Sequence, residues 1–313
     1  MLHLISLKDW SPEVIAEVLD LADDVKKQPE HYATAMTGKT LLMIFEKPSL
    51  RTRVSFETGV TQMGGHAIYY DMGTSPLGAG KENIADTARV ISRYVDVVMA
   101  RLFKHEVLIE LARHATIPVI NALTDHAHPT QILADLQTIR EKKGRLKGLK
   151  LAYLGDGRNN VTHSLLSGCS KVGMDIRVAC PSGPDYSPAS DVIKAAQAMA
   201  KKAGSQVLVT HDALEAVRGA DVVYTDSWMS YHVAHEKLEE RVRVFTPYQV
   251  NAVLMQQAAP DAIFMNCLPA LRGFEQTAEV MDGPQSVVFD EAENRIHAHK
   301  AILLKLLAEK KKM

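Results

Sequence analysis

The sequence predicts an α/β protein of two domains, each with a central parallel sheet flanked by helices. Three observations predict this fold class. Short apolar runs alternate with segments of helical spacing, the same rhythm occurs in both halves, and 313 residues suffice for two ordinary domains. The basic, glycine-containing stretch from Arg140 to Lys150 is the best junction, so we place the domains at residues 1–140 and 141–313. A terminal helix, at about residues 290–313, is expected to return to the first domain.

The first half alternates regularly between the two kinds of element. A helix opens at Ser11-Pro12, because serine is a good N-cap and proline fits the first helical turn, and it runs to about Lys27. The predicted strands are Leu41 to Phe45, His66 to Met72, Val95 to Arg101 and "PVINA". The helix after the first strand begins at Ser49. The later helices are predicted at Asn83 to Arg93, Glu106 to His114 and Ile132 to Lys143.

The second half repeats the pattern and ends in a long helix. "LKLAYLGDGRNN" is predicted as strand, glycine turn and helix start, and the further predicted strands are "DIRVACP", "SQVLVTH", "ADVVYTDSW" and "AIFMNCLPA", the last ending in a turn. Strands that alternate with helices pair in parallel, and parallel sheets bind ligands at the carboxyl ends of their strands. The residues that follow each strand are therefore the candidates for function.

Bulk composition excludes several classes of protein. A net charge of −1 argues against a nucleic-acid partner, and no apolar run approaches the roughly twenty residues that cross a membrane. The N-terminus lacks a secretion signal, and Cys169, Cys180 and Cys267 form no close pair, so we expect a reduced, cytoplasmic protein. The cysteines also lack zinc-ligand spacing, so no metal is expected.

The first strand exit, "EKPSLRTR", predicts an oxyanion site. Ser49 is a candidate N-cap, and the N–H groups of a helix start form a natural anion site. Arg51 and Arg53 add guanidinium groups that suit phosphate oxygens, and Thr52 adds a hydroxyl. The alternative is a surface helix with two solvated arginines, but the strand and cap in front favour the oxyanion site.

Two further strand exits of the first half carry polar residues. Arg101 directly follows "VVMA". Its charge either marks the point where the strand reaches the surface, or the arginine belongs to an anion pocket. In "HPTQ", the proline after His128 restrains the backbone, and Gln131 lies one turn later. His128 is read equally well as a capping residue or as a ligand-binding one.

The second half offers groups of the opposite kind. "LGDGRNN" lacks the third glycine of a dinucleotide-binding turn, so we do not expect a dinucleotide there. Asn159 and Asn160 would instead donate amide N–H groups to a small carboxylate, or they would cap a helix. Asp226 and Ser230 follow a strand and suit an ammonium group, and Cys267 lies at another strand end opposite Asp226. The remaining candidate, Arg295, is expected to open the last helix and return to the first domain. Together these residues indicate group transfer between a phosphate-bearing substrate and an amine, by positioning and charge stabilisation.

Six motifs, taken in order, carry a resemblance to a known family: "PSLRTR", "DTARV", "HPTQ", "LGDGRNN", "NCLP" and "DEAENR". Over essentially the whole chain, the sequence resembles the aspartate/ornithine carbamoyltransferases, and most of all their ornithine branch. The resemblance implies transfer of the carbamoyl group of carbamoyl phosphate to the side-chain amine of L-ornithine, giving L-citrulline and phosphate for arginine biosynthesis. It further implies carbamoyl phosphate on the first domain, the amino acid on the second, no cofactor, and homotrimers or multiples of trimers with shared active sites.

The resemblance also implies roles for individual residues. Carbamoyl phosphate would be bound by Ser49, Leu50, Arg51, Thr52, Arg101, His128, Gln131, Cys267, Leu268 and Arg295. Of these, Arg101, His128 and Cys267 would be catalytic. L-Ornithine would be bound by Asn160, Asp226, Ser230 and Tyr231.

Two departures from the family pattern keep alternatives open. Ser230-Tyr231-His232 stands where ornithine enzymes usually carry Ser-Met-Gly, and Asn266 stands where they carry histidine. A carbamoyltransferase for another amine, or an ornithine enzyme that resists an inhibitor, is therefore the leading alternative. A non-catalytic binding protein on the same fold is the third and least favoured.

Overall fold

The structure, a computed structural model, describes residues 2–229 and 235–310. Its strands are β1 (Thr40–Phe45), β2 (His66–Asp71), β3 (Val97–Arg101), β4 (Val119–Leu123), β5 (Lys150–Leu154), β6 (Asp175–Ala179), β7 (Val207–Thr210), β8 (Val222–Thr225) and β9 (Ile263–Met265). Its helices are α1 (Pro12–Lys27), α2 (Leu50–Gln62), α3 (Ile84–Tyr94), α4 (His105–His114), α5 (Pro129–Lys143), α6 (Asn160–Val172), α7 (Ser190–Ala203), α8 (Ala213–Val217), α9 (Leu238–Phe245), α10 (Ala252–Met255), α11 (Ala278–Met281) and α12 (Val288–Lys310).

The chain divides into two compact units. The first unit comprises the chain up to Gln137 and again from Glu293 onward, and the second comprises Thr138–Ala292. Each unit contains one parallel sheet with flanking helices, which confirms the predicted fold class. The last helix, α12, belongs for most of its length to the first unit, as expected.

The sheet of the first unit has the strand order β2-β1-β3-β4, and every pair is parallel. β3 and β4 are buried throughout, as their mostly apolar sequences predict for strands covered on both faces. β2 forms an edge of this sheet and leaves Ile68 40% exposed. The chain passes from β1 to β2 on one side and returns to β3 on the other, so a topological switch point lies between β1 and β3.

The first helix illustrates how the local sequence sets an element. Ser11 caps α1 by accepting a hydrogen bond from the Val14 N–H, and Pro12 is its first residue. Residues spaced three or four apart are buried, which gives the helix one apolar face; they are Ile15, Val18, Leu19, Ala22 and Val25. The predicted helix from Pro12 to Lys27 is thereby confirmed.

The sheet of the second unit has the strand order β7-β6-β5-β8-β9, again with parallel pairs only. Its switch point lies between β5 and β8. A core on one side of this sheet contains the aromatic side chains of Trp228, Phe245 and Phe264, all nearly or fully buried. Within the described residues, no helix is both long enough and apolar enough to cross a bilayer.

The central strand of the second sheet should tolerate truncation least. Leu151 on β5 is fully buried, whereas Leu208 on the edge strand β7 is 37% exposed. We expect Leu151→Ala to lower the free energy of unfolding by about 2–5 kcal/mol, because it leaves a cavity between packed layers. Leu208→Ala, the matched control, should lower it by under about 1 kcal/mol. Urea unfolding followed by circular dichroism measures both, and equal shifts would contradict the assigned strand order.

Candidate active-site residues

The first turn of α2 follows β1 directly and lies at the switch point of the first sheet. Ser49 is its N-cap, with an extended backbone at φ −158° and a side-chain oxygen that accepts the Thr52 N–H at 3.3 Å. As at every helix start, the N–H groups of the first turn are directed along the axis, away from the helix body, and the dipole favours an anion there. The Ser49 cap predicted from the sequence is confirmed, and Arg51 is on the first turn.

Thr52 joins a buried hydrogen-bond network with α12 and α5. The two terminal nitrogens of Arg295 donate to the hydroxyl oxygen of Thr52 at 3.0 Å and to the side-chain oxygen of Gln131 at 2.8 Å. The Gln131 amide N–H donates in turn to Asp135 at 2.8 Å. Arg295 thus lies well inside α12, which begins at Val288 rather than at the arginine as the sequence suggested, and it ties two strand exits together.

Arg101 is the last residue of β3, and an irregularity in the sheet sets its direction. Ala100 pairs with Asn121, but Arg101 pairs with Leu123, so the register shifts by one residue between them. Such bulges re-aim the side chain at the end of a strand. The Arg101 side chain is only 3% exposed. Arginine is seldom buried so deeply, because burying a positive charge is costly unless the charge is compensated.

His128 immediately precedes α5 and is buried among cations. Burial, followed by the positive charges of Arg295, Arg101 and further neighbours, holds the pKa of His128 well below its ordinary value of 6.5. The imidazole is therefore neutral at neutral pH, with one nitrogen that donates and one that accepts. A neutral donor beside guanidinium groups suits the oxygen of a carbonyl.

Arg53, the other arginine of "LRTR", has a different environment. Its Nε donates to Glu57 at 3.0 Å, and its guanidinium carbon lies 3.9 Å from the centre of the Tyr69 ring. These contacts hold Arg53 along the side of α2 and next to the edge strand. The solvated-arginine alternative thus describes Arg53 better than the anion site does.

The turn after β5 carries the two asparagines of the second unit. Asn159 caps α6 by accepting the Thr162 N–H at 2.8 Å, and its amide donates to Asp226 at 3.0 Å. Asn160 is the first residue of α6 and is half-buried. Asn159 is therefore the cap of α6, and Asn160 is the residue that follows it.

Asp226 connects two strand exits of the second sheet. It follows β8, is 9% exposed, and accepts hydrogen bonds from Asn159 and from the Cys267 thiol, whose sulfur lies 3.2 Å from Oδ1. Cys267 follows β9, so the predicted opposition of Cys267 and Asp226 is confirmed. A buried carboxylate at this edge suits an ammonium group.

Asn266, where the family pattern has histidine, holds the turn that follows β9. Its side-chain oxygen accepts the Leu268 N–H at 2.8 Å, and its amide donates to Gln276 at 3.1 Å. Leu268 has φ +57°, a left-handed conformation that needs such support in a residue other than glycine, and its peptide bond to Pro269 is cis. Asn266, an uncharged side chain, therefore holds the backbone N–H of Leu268 in this turn.

Several residues near these groups were not predicted from the sequence. Lys47 follows β1, and burial together with the nearby Arg101 charge lowers its pKa, so the exits of β1 and β3 collect further positive charge. His299 on α12 stacks on Phe56, with ring centroids 3.8 Å apart, and its Nδ1 lies 3.0 Å from the Ser55 hydroxyl oxygen. The sequence feature that would have indicated His299 is a set of polar residues spaced along one face of a helix. These residues are all buried in α12: Glu291, Asn294, Arg295 and His299.

Three predicted or suspected residues, Ser230, Tyr231 and His232, lie outside the described residues. Among the residues from 2 to 229 and from 235 to 310, no group of three or more His, Cys, Asp or Glu residues could hold a metal ion. The other predicted site residues fall into two groups, one in each unit.

Comparison with protein families gives one match in each half of the chain. Residues 2–141 match the sequence profile of the "Aspartate/ornithine carbamoyltransferase, carbamoyl-P binding domain". Residues 147–306 match the profile of the "Aspartate/ornithine carbamoyltransferase, Asp/Orn binding domain". The chain belongs to the aspartate/ornithine carbamoyltransferase family. The resemblance inferred from the sequence motifs is thereby confirmed.

Individual family members match over nearly the full length. The chain is 54% identical over 309 residues to an ornithine carbamoyltransferase of Methanothermobacter thermautotrophicus, covering 99% of this chain and 100% of that protein. It is 52% identical to that of Bacillus subtilis, covering 97% and 93% of the two chains. The structure of the ornithine carbamoyltransferase from Pyrococcus furiosus matches with a TM-score of 0.93 at 49% identity, covering 98% of this chain and 97% of that one.

Buried neutral histidines should make the protein acid-sensitive. Burial, then the charge of Arg295, holds the pKa of His299 well below its ordinary 6.5, so the unfolded chain binds a proton below pH 6.5 that the folded chain does not. Folding stability should therefore fall as the pH drops from 6.5 to 5, by up to about 1.4 kcal/mol per pH unit for each such histidine. His299→Gln should make this loss shallower in urea unfolding. The exposed His66→Gln is the control, and an unchanged slope for His299→Gln would refute the assignment.

Proposed function

We propose that the protein transfers the carbamoyl group of carbamoyl phosphate to the side-chain amine of L-ornithine, giving L-citrulline and phosphate. One observation carries this proposal: a chain of this family combines a capped, cation-rich helix start in one unit with a buried carboxylate at a strand exit in the other. The first feature suits a phosphate, and the second suits the ammonium group of an amino acid. Residues 1–140 would bind carbamoyl phosphate, and residues 141–313, with a terminal helix that returns to the first domain, would bind ornithine.

The phosphate is assigned to the start of α2. Ser49, Leu50, Arg51 and Thr52 would surround it with backbone N–H groups, a guanidinium and a hydroxyl, and Arg101 would bridge the phosphate and the carbamoyl oxygen. The family profile that matches residues 2–141 supports this assignment, as does the cap that Ser49 provides. Arg53, tied to Glu57, would contribute only general positive potential.

The carbamoyl group has donors and acceptors that need opposite partners. Its oxygen would accept from Arg101 and from neutral His128. Its amide N–H groups would donate to the side-chain oxygen of Gln131 and to the Leu268 carbonyl. The amide nitrogen of Gln131 donates to Asp135, and the amide oxygen of Gln131 accepts from Arg295. The Gln131 oxygen therefore faces the side on which Arg295 lies. Arg295 and Cys267 would complete the set.

Ornithine is assigned to the second unit. Asp226 would hold the α-ammonium group, and Asn160 would donate to the α-carboxylate. Ser230 and Tyr231 are proposed as further contacts on the resemblance alone. An aspartate substrate is disfavoured because its second carboxylate would need a basic partner, whereas this strand exit offers the carboxylate of Asp226. Another amine is likewise not favoured, since the full-length relatives described above are ornithine enzymes.

The chemistry follows from where charge develops. A deprotonated amine attacks the carbamoyl carbon, and the carbonyl oxygen gains negative charge in a tetrahedral intermediate, which Thr52, Arg101 and His128 would stabilise. Collapse breaks the bond from carbon to the phosphate oxygen, and the departing phosphate accepts the proton that the amine loses. An isolated amine of this type has a pKa of about 10.4, so the deprotonated form is the minor one at neutral pH.

We also propose a cytoplasmic homotrimer, or a multiple of trimers, with shared active sites and a role in arginine biosynthesis. Exposed apolar side chains on neighbouring elements of the first unit support association: Leu50 and Val54 on α2 are 74% and 48% exposed, and Ile68 on the edge strand β2 is 40% exposed. Apolar patches on unpaired sheet edges commonly become interfaces. Three cysteines with no close pair in the sequence are typical of proteins from a reducing compartment, which supports the cytoplasmic assignment.

Product formation with a panel of amines tests the proposed function. Carbamoyl phosphate is offered with L-ornithine, putrescine, L-lysine, N-acetylornithine or L-aspartate, at a pH above neutrality where more amine is deprotonated. We expect strong preference for L-ornithine. Preference for another amine would make Tyr231, His232 and Asn266 the specificity determinants, and no turnover with any amine would favour a non-catalytic binding protein.

Arg51→Ala tests the phosphate assignment. Removing one preorganised cation from the start of α2 should lower kcat/KM by about a hundredfold or more. The matched control is Arg113→Ala, because that arginine is on α4 with its side chain 70% exposed and pairs with Glu110 in its own helix. Steady-state rates at varied carbamoyl phosphate measure both variants. Full turnover by Arg51→Ala would refute the phosphate assignment.

A further inference from the structure

The peptide groups of Trp228 are held by two buried charged side chains from distant segments. The Trp228 N–H donates to Oε1 of Glu275 at 3.3 Å, and the Trp228 carbonyl accepts from Nε of Arg241. Arg241 is 7% exposed and Glu275 is 2% exposed. Buried charges are costly unless they are paired or hydrogen-bonded. Two buried charged side chains that both bind the Trp228 backbone therefore indicate that the position of this backbone is important.

Arg241 joins this residue to the turn after β5. While its Nε donates to the Trp228 carbonyl, its Nη2 forms a salt bridge with Oδ2 of Asp156. The other oxygen of Asp156 accepts the Arg158 N–H at 2.9 Å, within the turn that leads to the asparagines. One guanidinium fork thus connects the exits of β5 and β8.

Glu275 joins the same residue to the segment after β9. Its second oxygen accepts the Leu271 N–H at 3.0 Å, a few residues beyond the turn that carries Cys267. Burial raises the pKa of Glu275, and the charge of Asp226 adds to that effect, so the two carboxylates are close enough to interact. The exits of β8 and β9 are therefore connected by one carboxylate.

The tryptophan ring gives the connection a rigid support. It is nearly fully buried and stacks on Phe245 with ring centroids 5.9 Å apart. The guanidinium carbon of Arg241 lies 4.7 Å from the centre of the same Phe245 ring, a cation–π contact that holds the fork in place. Trp228 itself follows Asp226 by two residues, so fixing its peptide groups fixes the carboxylate.

We propose that Arg241 and Glu275 are positioning residues for the amino-acid site: through Trp228, they set the carboxylate of Asp226 relative to Asn160 and Cys267. This inference rests on the proposed function. Neither side chain touches the substrate in this scheme. Both act by holding three strand exits in one arrangement, which matters because small misplacements of binding groups reduce affinity strongly.

Two conservative variants test the inference. Arg241→Lys keeps the charge but replaces a fork with a single ammonium, which cannot serve Asp156 and Trp228 with the same geometry. Glu275→Gln keeps the shape but has only one oxygen for two backbone N–H donors. The controls are Arg243→Lys on the same helix and Glu279→Gln, both at exposed positions.

For both variants we expect KM for L-ornithine to rise about tenfold, with KM for carbamoyl phosphate unchanged within about twofold. Calorimetric titration with L-norvaline, which has the α-amino and α-carboxyl groups but no side-chain amine, should show the same loss. Both controls should behave as wild type. Thermal melting is measured in parallel, and Glu275→Gln, being isosteric, keeps the test available if Arg241→Lys does not fold.

Three results would overturn the inference. The first is unchanged KM values in both variants, which would mean that the two residues have no role in the site. The second is a parallel rise in KM for both substrates, and the third is loss of folding in both variants. Either of these would mean a role limited to structure. A wild-type protein that does not turn over ornithine would instead refute the proposed function, and that measurement is made first.

Discussion

All strand pairs in both sheets are parallel, and the rest of the structure depends on this constraint. Parallel strands deliver their carboxyl ends to one edge, and at a switch point the following segments diverge and leave a crevice. The residues after β1 and β3 in the first sheet, and after β5 and β8 in the second, are in these positions. Residues far apart in sequence, such as Asn159 and Asp226, thereby come within hydrogen-bond distance.

The two units use charge in opposite ways. In the first, Arg101 and Arg295 are buried near His128, whose pKa is lowered first by its own burial and then by these positive charges, so the imidazole stays neutral. A cluster of buried cations favours a bound anion, because the anion offsets the repulsion among them, and this agrees with the phosphate proposed for this unit. In the second, the carboxylate of Asp226 accepts hydrogen bonds from two uncharged groups, the Asn159 amide and the Cys267 thiol, and the cation Arg241 forms a salt bridge with Asp156.

Local chemistry was readable from the sequence, whereas long-range pairing was not. The caps at Ser11 and Ser49 and the apolar strands follow from short-range rules, and the strand exits supplied most of the candidate site residues. The salt bridge between Asp156 and Arg241 has no local signature, because its partners come together only when the sheet forms. The register shift at Arg101 and the stacking of His299 on Phe56 likewise depend on tertiary packing.

Helix α12 makes the first unit discontinuous in sequence. Glu291, near its start, accepts hydrogen bonds from Tyr224 and Asn266 in the second unit, whereas Arg295 donates to Thr52 and Gln131 in the first. On the ribosome, the first unit therefore remains without its last helix until the whole of the second has been synthesised. The N-terminal unit, normally the earliest to fold, is here the last to be completed. A nascent chain thus acquires its Arg295 contacts only after the second unit has been synthesised.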